Sequence, residues 1–232
     1  RDPKVFDHLA DKIIPDLVRD HSSDRPLRIW IAGCSTGEET YSLVMLFYEQ
    51  ITAAKRNIKL QVFASDVDPD DVASAREGIY PESIEAEVSP ERLARFFAKE
   101  DRGYRVLPAL RAAVVFTVQD ILADPPFSRL DLVSCRNLLI YFRPAAQKHA
   151  LSILPYGLRI GGALLLGPSE APGEISGEFE VVDEPCRLYV KRRLTRRPPV
   201  LSMTKPIMGL QRVRPQPTDT PLLTLYDAVL DH

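Results

Sequence analysis

At 232 residues, with 45% hydrophobic and 27% charged side chains, the chain is long enough for one α/β domain with a full core plus an appendage, and its composition is that of a soluble globular protein. A formal net charge of −2 advertises no broad nucleic-acid surface. No apolar run approaches the roughly 20 residues of a membrane span, so no membrane insertion is expected, and no signal peptide opens the sequence. The three cysteines, Cys34, Cys135 and Cys186, form no C-x-x-C pair. That argues against a metal site or a disulfide framework and for a reducing cytoplasm.

Pro3 to Arg19 has the period of an amphipathic helix, with Phe6, Leu9, Ile13, Ile14 and Leu17 on one face, and Pro15 predicts a kink. Residues 21–26 are a polar turn. Leu27 to Ala32 is a short apolar strand that runs into Gly33-Cys34-Ser35-Thr36-Gly37. Glu38, Glu39 and the apolar positions Leu43, Leu46 and Phe47 then open a helix that continues to about Lys55. The free N–H groups at such a helix start form a polar cradle, but two glutamates complement the dipole themselves and argue against a pyrophosphate there. A ligand carrying hydroxyls or positive charge suits the turn better.

A second strand, Lys59 to Ser65, ends at Asp66, and a parallel crossover brings that carboxylate beside the glycine turn, where it can accept hydrogen bonds from both hydroxyls of a ribose. On spacing alone an alternative stays open, that Asp66 or Asp68 caps the next helix. The glycines fall as G-x-x-x-G and not as G-x-G-x-x-G, which disfavours a nicotinamide cofactor.

From Asp70 to Lys99 the pattern is helical, broken at Gly78 to Pro81 and at Ser89-Pro90. Tyr104 to Leu107 and Ala113 to Thr117 read as a hairpin pair, giving a small β subdomain over about 100–117. Val118 to Ile121, a sharp turn at Asp124 to Phe127 and a buried strand from Leu130 to Ser134 follow. Cys135-Arg136-Asn137-Leu138-Leu139-Ile140-Tyr141-Phe142 then packs polar and aromatic groups past a strand's carboxyl end, the edge where open α/β sheets bind ligands. Singly these residues could be structural, Tyr141 and Phe142 as core aromatics, Arg136 and Asn137 as partners of loop carbonyls; their convergence favours a site. Arg143 to Leu154 is a helix, Gly161-Gly162 turns it into the strand Ala163 to Leu166, and Phe179 to Val182 with Arg187 to Val190 close the sheet as an antiparallel finish. His149 reads as exposed, and His8, His21 and His232 have no cluster around them. Residues 193–232 hold six of the 20 prolines and follow or include the basic pairs Arg192-Arg193 and Arg196-Arg197. They read as a solvated linker in which Pro221 to Leu230 begins a helix.

Four of these stretches, Ile31 to Ser42, Phe63 to Asp68, Gly78-Ile79-Tyr80 and Cys135 to Phe142, resemble the CheR family of chemotaxis receptor methyltransferases. The resemblance runs from Arg1 to about Arg192, with the motifs in the family's order. It implies, over residues 1–192, an α/β, doubly wound, mostly parallel sheet with one antiparallel strand, of the class I methyltransferase type, into which a small β-hairpin subdomain is inserted at about 100–117. The implied activity is transfer of a methyl group from S-adenosylmethionine (SAM) to protein glutamates, with S-adenosylhomocysteine as product, no metal, and the cytoplasmic helical domain of a chemoreceptor as protein substrate. By the resemblance Arg1 lies beside the methionine end of the cofactor and the methyl, and Gly33, Glu39 and Asp66 hold the cofactor, Asp66 at the ribose. Asp120 and Ile121 fall where the family places an Asn-Leu pair against adenine, Arg136 and Asn137 line the cofactor, and Tyr141 faces the transferred methyl.

The sequence departs from that family in three ways. It begins at Arg1, without the helical domain that covers the cofactor in the family. Lys99 to Gly103 lacks the glycine-rich loop with which some members grip a receptor's C-terminal pentapeptide, so tethered recognition is not expected. Pro168 stands where many relatives have histidine. The tail resembles the junction in multidomain sensory proteins where a CheR-like domain precedes a further sensory segment.

The chemistry makes sense without the family. Displacement at a methyl sulfonium by a carboxylate that is already ionised at neutral pH needs no general base, so positioning is the main requirement. The lack of a convincing His or Cys nucleophile is consistent with that and argues against hydrolases and acyl transferases. A SAM- or S-adenosylhomocysteine-binding sensory module with little transfer activity is the alternative, and the presence of both Arg1 and Tyr141 favours the enzyme.

Overall fold

The computed structural model describes residues 3–194, so Arg1 and residues 195–232, with the helix expected there, lie outside the described residues. The chain opens with α1 (Pro3–His8), a π-helical turn (Leu9–Ile13) and α2 (Ile14–Arg19). Pro15 has no N–H to offer Asp11, and the helix accommodates it with a wide turn in which Ile14 N–H reaches back to Leu9 O. The apolar face survives the distortion: Leu9, Ile13, Ile14, Leu17 and Val18 are all buried.

Seven strands then form one sheet in the order β6-β2-β1-β7-β8-β10-β9. They are β1 (Leu27–Ala32), β2 (Leu60–Asp66), β6 (Val114–Val118), β7 (Leu130–Cys135), β8 (Leu158–Leu166), β9 (Phe179–Asp183) and β10 (Leu188–Lys191). The pairs β2/β6, β1/β2, β1/β7 and β7/β8 are parallel, whereas β10 runs antiparallel to both β8 and β9. The sheet is therefore mostly parallel with one reversed strand near its edge, as the sequence leads one to expect.

Alternation along the central strands builds a core on each face. Ile29 and Ile31 of β1, Val62 and Ala64 of β2 and Leu132 of β7 join the N-terminal helices, α3 (Glu38–Ala53) and α4 (Pro69–Glu77) in one cluster. Trp30, Ala32, Phe63 and Val133 join Ala150 and Leu154 of α7 (Pro144–Gly157) in the other. Trp30 keeps its polar atom satisfied by donating from Nε1 to Ser65 Oγ (2.9 Å), and Phe127 stacks on Phe63 and meets Trp30 edge-on.

The small sheet differs from the sequence-based expectation. Its strands are β3 (Ile79–Tyr80), β4 (Phe97–Glu100) and β5 (Gly103–Val106), in the order β3-β5-β4, so the hairpin joins residues 97–100 to 103–106. Ala113 to Thr117 does not pair with Tyr104 to Leu107. Residues 114–118 add to the main sheet parallel to β2 (Phe63 beside Val115, Asp66 beside Val118), and the short helix α6 (Pro108–Arg111) separates the two strands. Lys99, expected at a helix end, is in β4; the preceding helix, α5 (Pro90–Phe96), stops at Phe96. Gly161-Gly162 is likewise no helix-to-strand turn. β8 starts at Leu158, and the register jump from Leu130/Leu158 to Leu132/Ala163 makes the glycines an internal bulge.

At the edge where the parallel strands begin, Asp131 is fully buried between Leu130 and Leu132. Its carboxylate accepts from Arg28 N–H (2.8 Å), from Arg25 Nη2 (3.1 Å) and from Arg159 Nε. Burial pushes this carboxyl's pKa up, but the bonds from Arg25, Arg28 and Arg159 outweigh it and hold the value below the ordinary carboxylate range. With a depressed folded-state pKa, its contribution is complete above the unfolded value of about 3.9 and is lost as pH falls through the folded one. Asp131→Asn is expected to cost about 2–4 kcal/mol at neutral pH, with the difference from wild type narrowing below about pH 4. Urea unfolding at pH 7 and pH 3 measures both; a pH-independent difference would contradict the assignment.

Candidate functional site

The carboxyl ends of β1, β2, β6, β7 and β8 open onto one edge, and the residues singled out from the sequence lie along it. The β1 turn comes first. Gly33 and Gly37 have φ of +77° and +92°, left-handed values that suit glycine, and a Cβ on Gly37 would stand 3.0 Å from that of Ala75. Gly33 and Cys34 both donate their N–H to Ser65 O (2.8 and 3.0 Å), and Gly37 closes the turn on Cys34 O. Gly37 is also the N-cap of α3, with no side-chain cap and with Glu38 and Glu39 in the first turn.

Asp66 locks this turn to the end of β2. Ser35 N–H donates to its Oδ2 (2.9 Å) and Asp68 N–H to its Oδ1 (3.1 Å). The helix cap is Asp68, whose Oδ1 accepts from the N–H of Asp70 and of Asp71. The two readings of these carboxylates therefore separate: Asp68 caps α4, and Asp66 accepts from neither Asp70 nor Asp71 in that helix's first turn. Each Asp66 oxygen takes one backbone donor and keeps acceptor capacity for another. Next to it Val67 is 46% exposed, and Val118, paired with Asp66 across the strands, is exposed as well.

Glu39 and Arg136, a sequence separation of 97, form one ion pair (Oε2 to Nη1, 3.0 Å). Ser134 of β7 donates its hydroxyl to the other oxygen of Glu39, and Arg136, with a side chain only 4% exposed, lies over the ring of Phe6 at 5.5 Å. The first turn of α3 is thereby fastened to the end of β7, and α1 supplies the floor under the guanidinium. Asp120 shapes its own turn, accepting at Oδ1 from Leu122 N–H (3.0 Å), while Ile121 beside it is buried. Asn137 takes a left-handed φ of +56° and leads into a 3₁₀ turn, Leu139–Tyr141. Tyr141 is no core aromatic: it is 67% exposed. Arg1, assigned to this site from the sequence, lies outside the described residues.

Three groups at this edge escaped the sequence reading. Ser134 is a polar residue inside a fully buried strand, which is a legible signal in hindsight. Val67 offers an exposed apolar side chain directly after Asp66. Glu170, just past β8, is buried, and its carboxylate accepts from the N–H groups of Leu138, Leu139 and Gly167. Away from the edge, His8 does have neighbours: its Nδ1 stands 3.3 Å from Asp183 Oδ2, and Cys186 completes a group within 4.8 Å. This contact ties α1 to the β9–β10 turn. His21 is also partnered, with Nε2 2.9 Å from Arg25 O.

Neither buried thiol at the edge is nucleophilic. Burial pushes Cys34 up to about 12, with Asp66 adding to the effect, and burial pushes Cys135 well above its ordinary value. What the edge offers is a glycine turn, the carboxylates of Asp66 and Glu170 held by backbone N–H groups, an arginine braced against Glu39 and an exposed tyrosine. Such a set has the chemistry to suit a hydroxylated or cationic ligand.

Comparison with known proteins agrees with that chemistry. The model of the CheR methyltransferase SAM binding domain matches residues 1–187. A 104.1 kDa protein of Rhodobacter capsulatus, named for the hypE 3′ region, is 41% identical over 220 residues, 95% of this chain and 23% of that protein. Chemotaxis protein methyltransferase 1 of Pseudomonas aeruginosa is 34% identical over 187 residues, and chemotaxis protein methyltransferase Cher2 of Pseudomonas putida 33% over 187. In both cases the match covers 78% of this chain and 68% of the relative. The chain thus spans under a quarter of the first relative and about two thirds of the other two.

Proposed function

The chain belongs to the CheR methyltransferase family, and from that premise we propose that it methylates glutamate side-chain carboxylates of chemoreceptor proteins, using SAM and leaving methyl esters. The observation that carries the reading is Asp66, a carboxylate held by Ser35 and Asp68 N–H at the mouth of a glycine turn with acidic walls. Asp66 is assigned to the ribose hydroxyls, for which its two oxygens retain lone pairs. The carboxylates of Glu38 and Asp66 suit a sulfonium and repel a pyrophosphate, while the charge of Glu39 is balanced by Arg136. Val67 and Ile121 offer apolar contact for adenine, and Arg136 and Asn137 close the side formed by β7.

Bound SAM would supply an electrophilic methyl on sulfur. The chain's task is then to align an incoming carboxylate with it. A glutamate acceptor, with a reference pKa of about 4.3, arrives ionised at neutral pH, so no residue has to remove a proton. Tyr141, on its exposed turn, is assigned to the acceptor side, where its hydroxyl can orient one carboxylate oxygen. High thiol pKa values at Cys34 and Cys135 support direct transfer over a thioether intermediate on the protein. A two-residue turn at Asp101-Arg102 joins β4 to β5, and this short hairpin supports docking of the receptor without a pentapeptide tether. Among the described residues no helix is long and apolar enough to cross a membrane.

The direct test is transfer of labelled methyl from SAM to receptor signalling domains. Base-labile release of the label is expected for a carboxyl ester; SAM binding without transfer to any receptor would favour a sensory module instead. Asp66→Ala is expected to weaken SAM binding by about 1–3 kcal/mol, read by calorimetry. Unchanged affinity would remove Asp66 from the ribose. Tyr141→Phe is expected to lower turnover at saturating SAM by roughly tenfold or more with cofactor affinity nearly intact. Equal turnover in the two proteins would end the assignment of Tyr141 to the acceptor.

A further inference from the structure

Tyr141 poses a problem of placement. At 67% exposed it is not held by core packing, so the direction of its side chain depends on the backbone of the turn Leu139–Tyr141. That turn is gripped from two sides. Gln147 of α7 donates from Nε2 to Leu139 O and to Phe142 O, both at 3.0 Å. Glu170, reaching across from the loop after β8, accepts at Oε1 from Leu138 N–H (3.1 Å) and Leu139 N–H (2.8 Å), and at Oε2 from Gly167 N–H (2.7 Å).

The approach of the two loops is close. A Cβ on Gly167 would lie 2.7 Å from Glu170 Oε2 and 2.9 Å from Asn137 N, so the residue there has to lack one. Two of the three amides that Glu170 collects, those of Leu138 and Leu139, directly follow Asn137, whose left-handed φ of +56° sets the exit from β7. A neutral side chain could not serve equally. Three N–H donors converge on two oxygens, and the charged form of the acceptor makes each bond stronger than a neutral one. The carboxylate also completes the first turn of the 3₁₀ segment in the manner of an N-terminal cap.

Building on the function proposed above, we propose that Glu170 is a positioning residue of methyl transfer: its buried carboxylate fixes the Asn137–Tyr141 turn that lines the cofactor and presents Tyr141 to the acceptor. It touches neither reactant. Its influence passes through the backbone of Leu138 and Leu139.

The test uses the full chain with E170A and E170Q, and three readouts: amide hydrogen exchange, binding of S-adenosylhomocysteine by calorimetry, and turnover per binding-competent molecule. Both variants are expected to exchange the amides of Leu138 and Leu139 faster while those of β1 and β7 keep wild-type protection. Affinity for S-adenosylhomocysteine is expected to fall by about tenfold in E170A and by less in E170Q, which keeps one acceptor oxygen. Turnover at saturating SAM, counted per binding-competent molecule, is expected to fall further than affinity, which a mere loss of folded protein would not produce. Wild-type exchange at Leu138 and Leu139 would overturn the proposal, and so would wild-type affinity in a variant whose turn has lost its protection. A variant that loses protection but keeps full turnover would overturn it too. Exchange and affinity do not require methyl transfer, so a wild-type chain that methylates no receptor refutes the function while these two readouts still decide the role of Glu170.

Discussion

Every parallel strand that ends at one edge of a sheet releases backbone N–H groups that the ladder no longer satisfies, and in this chain carboxylates gather them. Asp66 takes those of Ser35 and Asp68, Asp68 those of Asp70 and Asp71, and Glu170 those of Leu138, Leu139 and Gly167. The same solution appears at the opposite edge, where Asp131 takes Arg28 N–H. An unmet buried donor costs about 1–3 kcal/mol, a cost that falls on the amides of Leu138, Leu139 and Gly167, whereas the donors that Asp66 and Asp68 collect are exposed and their bonds serve mainly to set the shape of the turns. The consequence is electrostatic. An edge built from carboxylates is negative, and a CheR-type cofactor with a sulfonium and no phosphate is the kind of ligand such an edge accepts.

Arginine enters where the negative charge has to be anchored. Arg136 pairs with Glu39 inside the protein, with Phe6 beneath it, and Ser134 holds the second oxygen of the same glutamate. The result joins α1, α3 and β7 at one point. Arg25 and Arg159 do the same for Asp131 at the far edge, from positions nearer solvent. Both ion pairs are costly to desolvate and gain little net stability over an apolar pair, so specificity of geometry is the better account of their presence.

Much of this was legible in the sequence where a pattern is local. The alternation Ile29, Trp30, Ile31, Ala32 places successive side chains in opposite cores, and the two glycines with two glutamates mark both the turn and the helix start. Pairing was less legible. Tyr104 to Leu107 and Ala113 to Thr117 have the same strand character, and nothing in either short run says that one adds to β2 and the other to β4. The bulge at Gly161 depends on its register against β7, which is a long-range property. Among the site residues, Asp68-Pro69 marks the helix start in the sequence, but that Asp66 takes no share in the cap is decided by which carboxylate faces Ser35. The partners of Glu170 and Ser134 lie 32 and 95 positions away, so although a serine in a buried strand is a signal, what it bonds is not legible in the sequence.

Under the proposed function, binding and transfer would be built differently in this chain. On the binding side, the carboxylates of Asp66 and Glu39 are each fixed by bonds to both oxygens, and the turn between them is closed by glycine and by Ser65 O. A small ligand gains affinity from groups that need no reordering when it arrives. Toward the acceptor, Ile140 and Tyr141 stand exposed on a single 3₁₀ turn, with the order in its backbone and not in side-chain packing. A macromolecular substrate brings its own surface to such a turn and excludes water only on docking, so the groups that meet it have to be accessible beforehand. On this account rigidity belongs to the backbone that Glu170 and Gln147 clamp, and openness to the two side chains it carries.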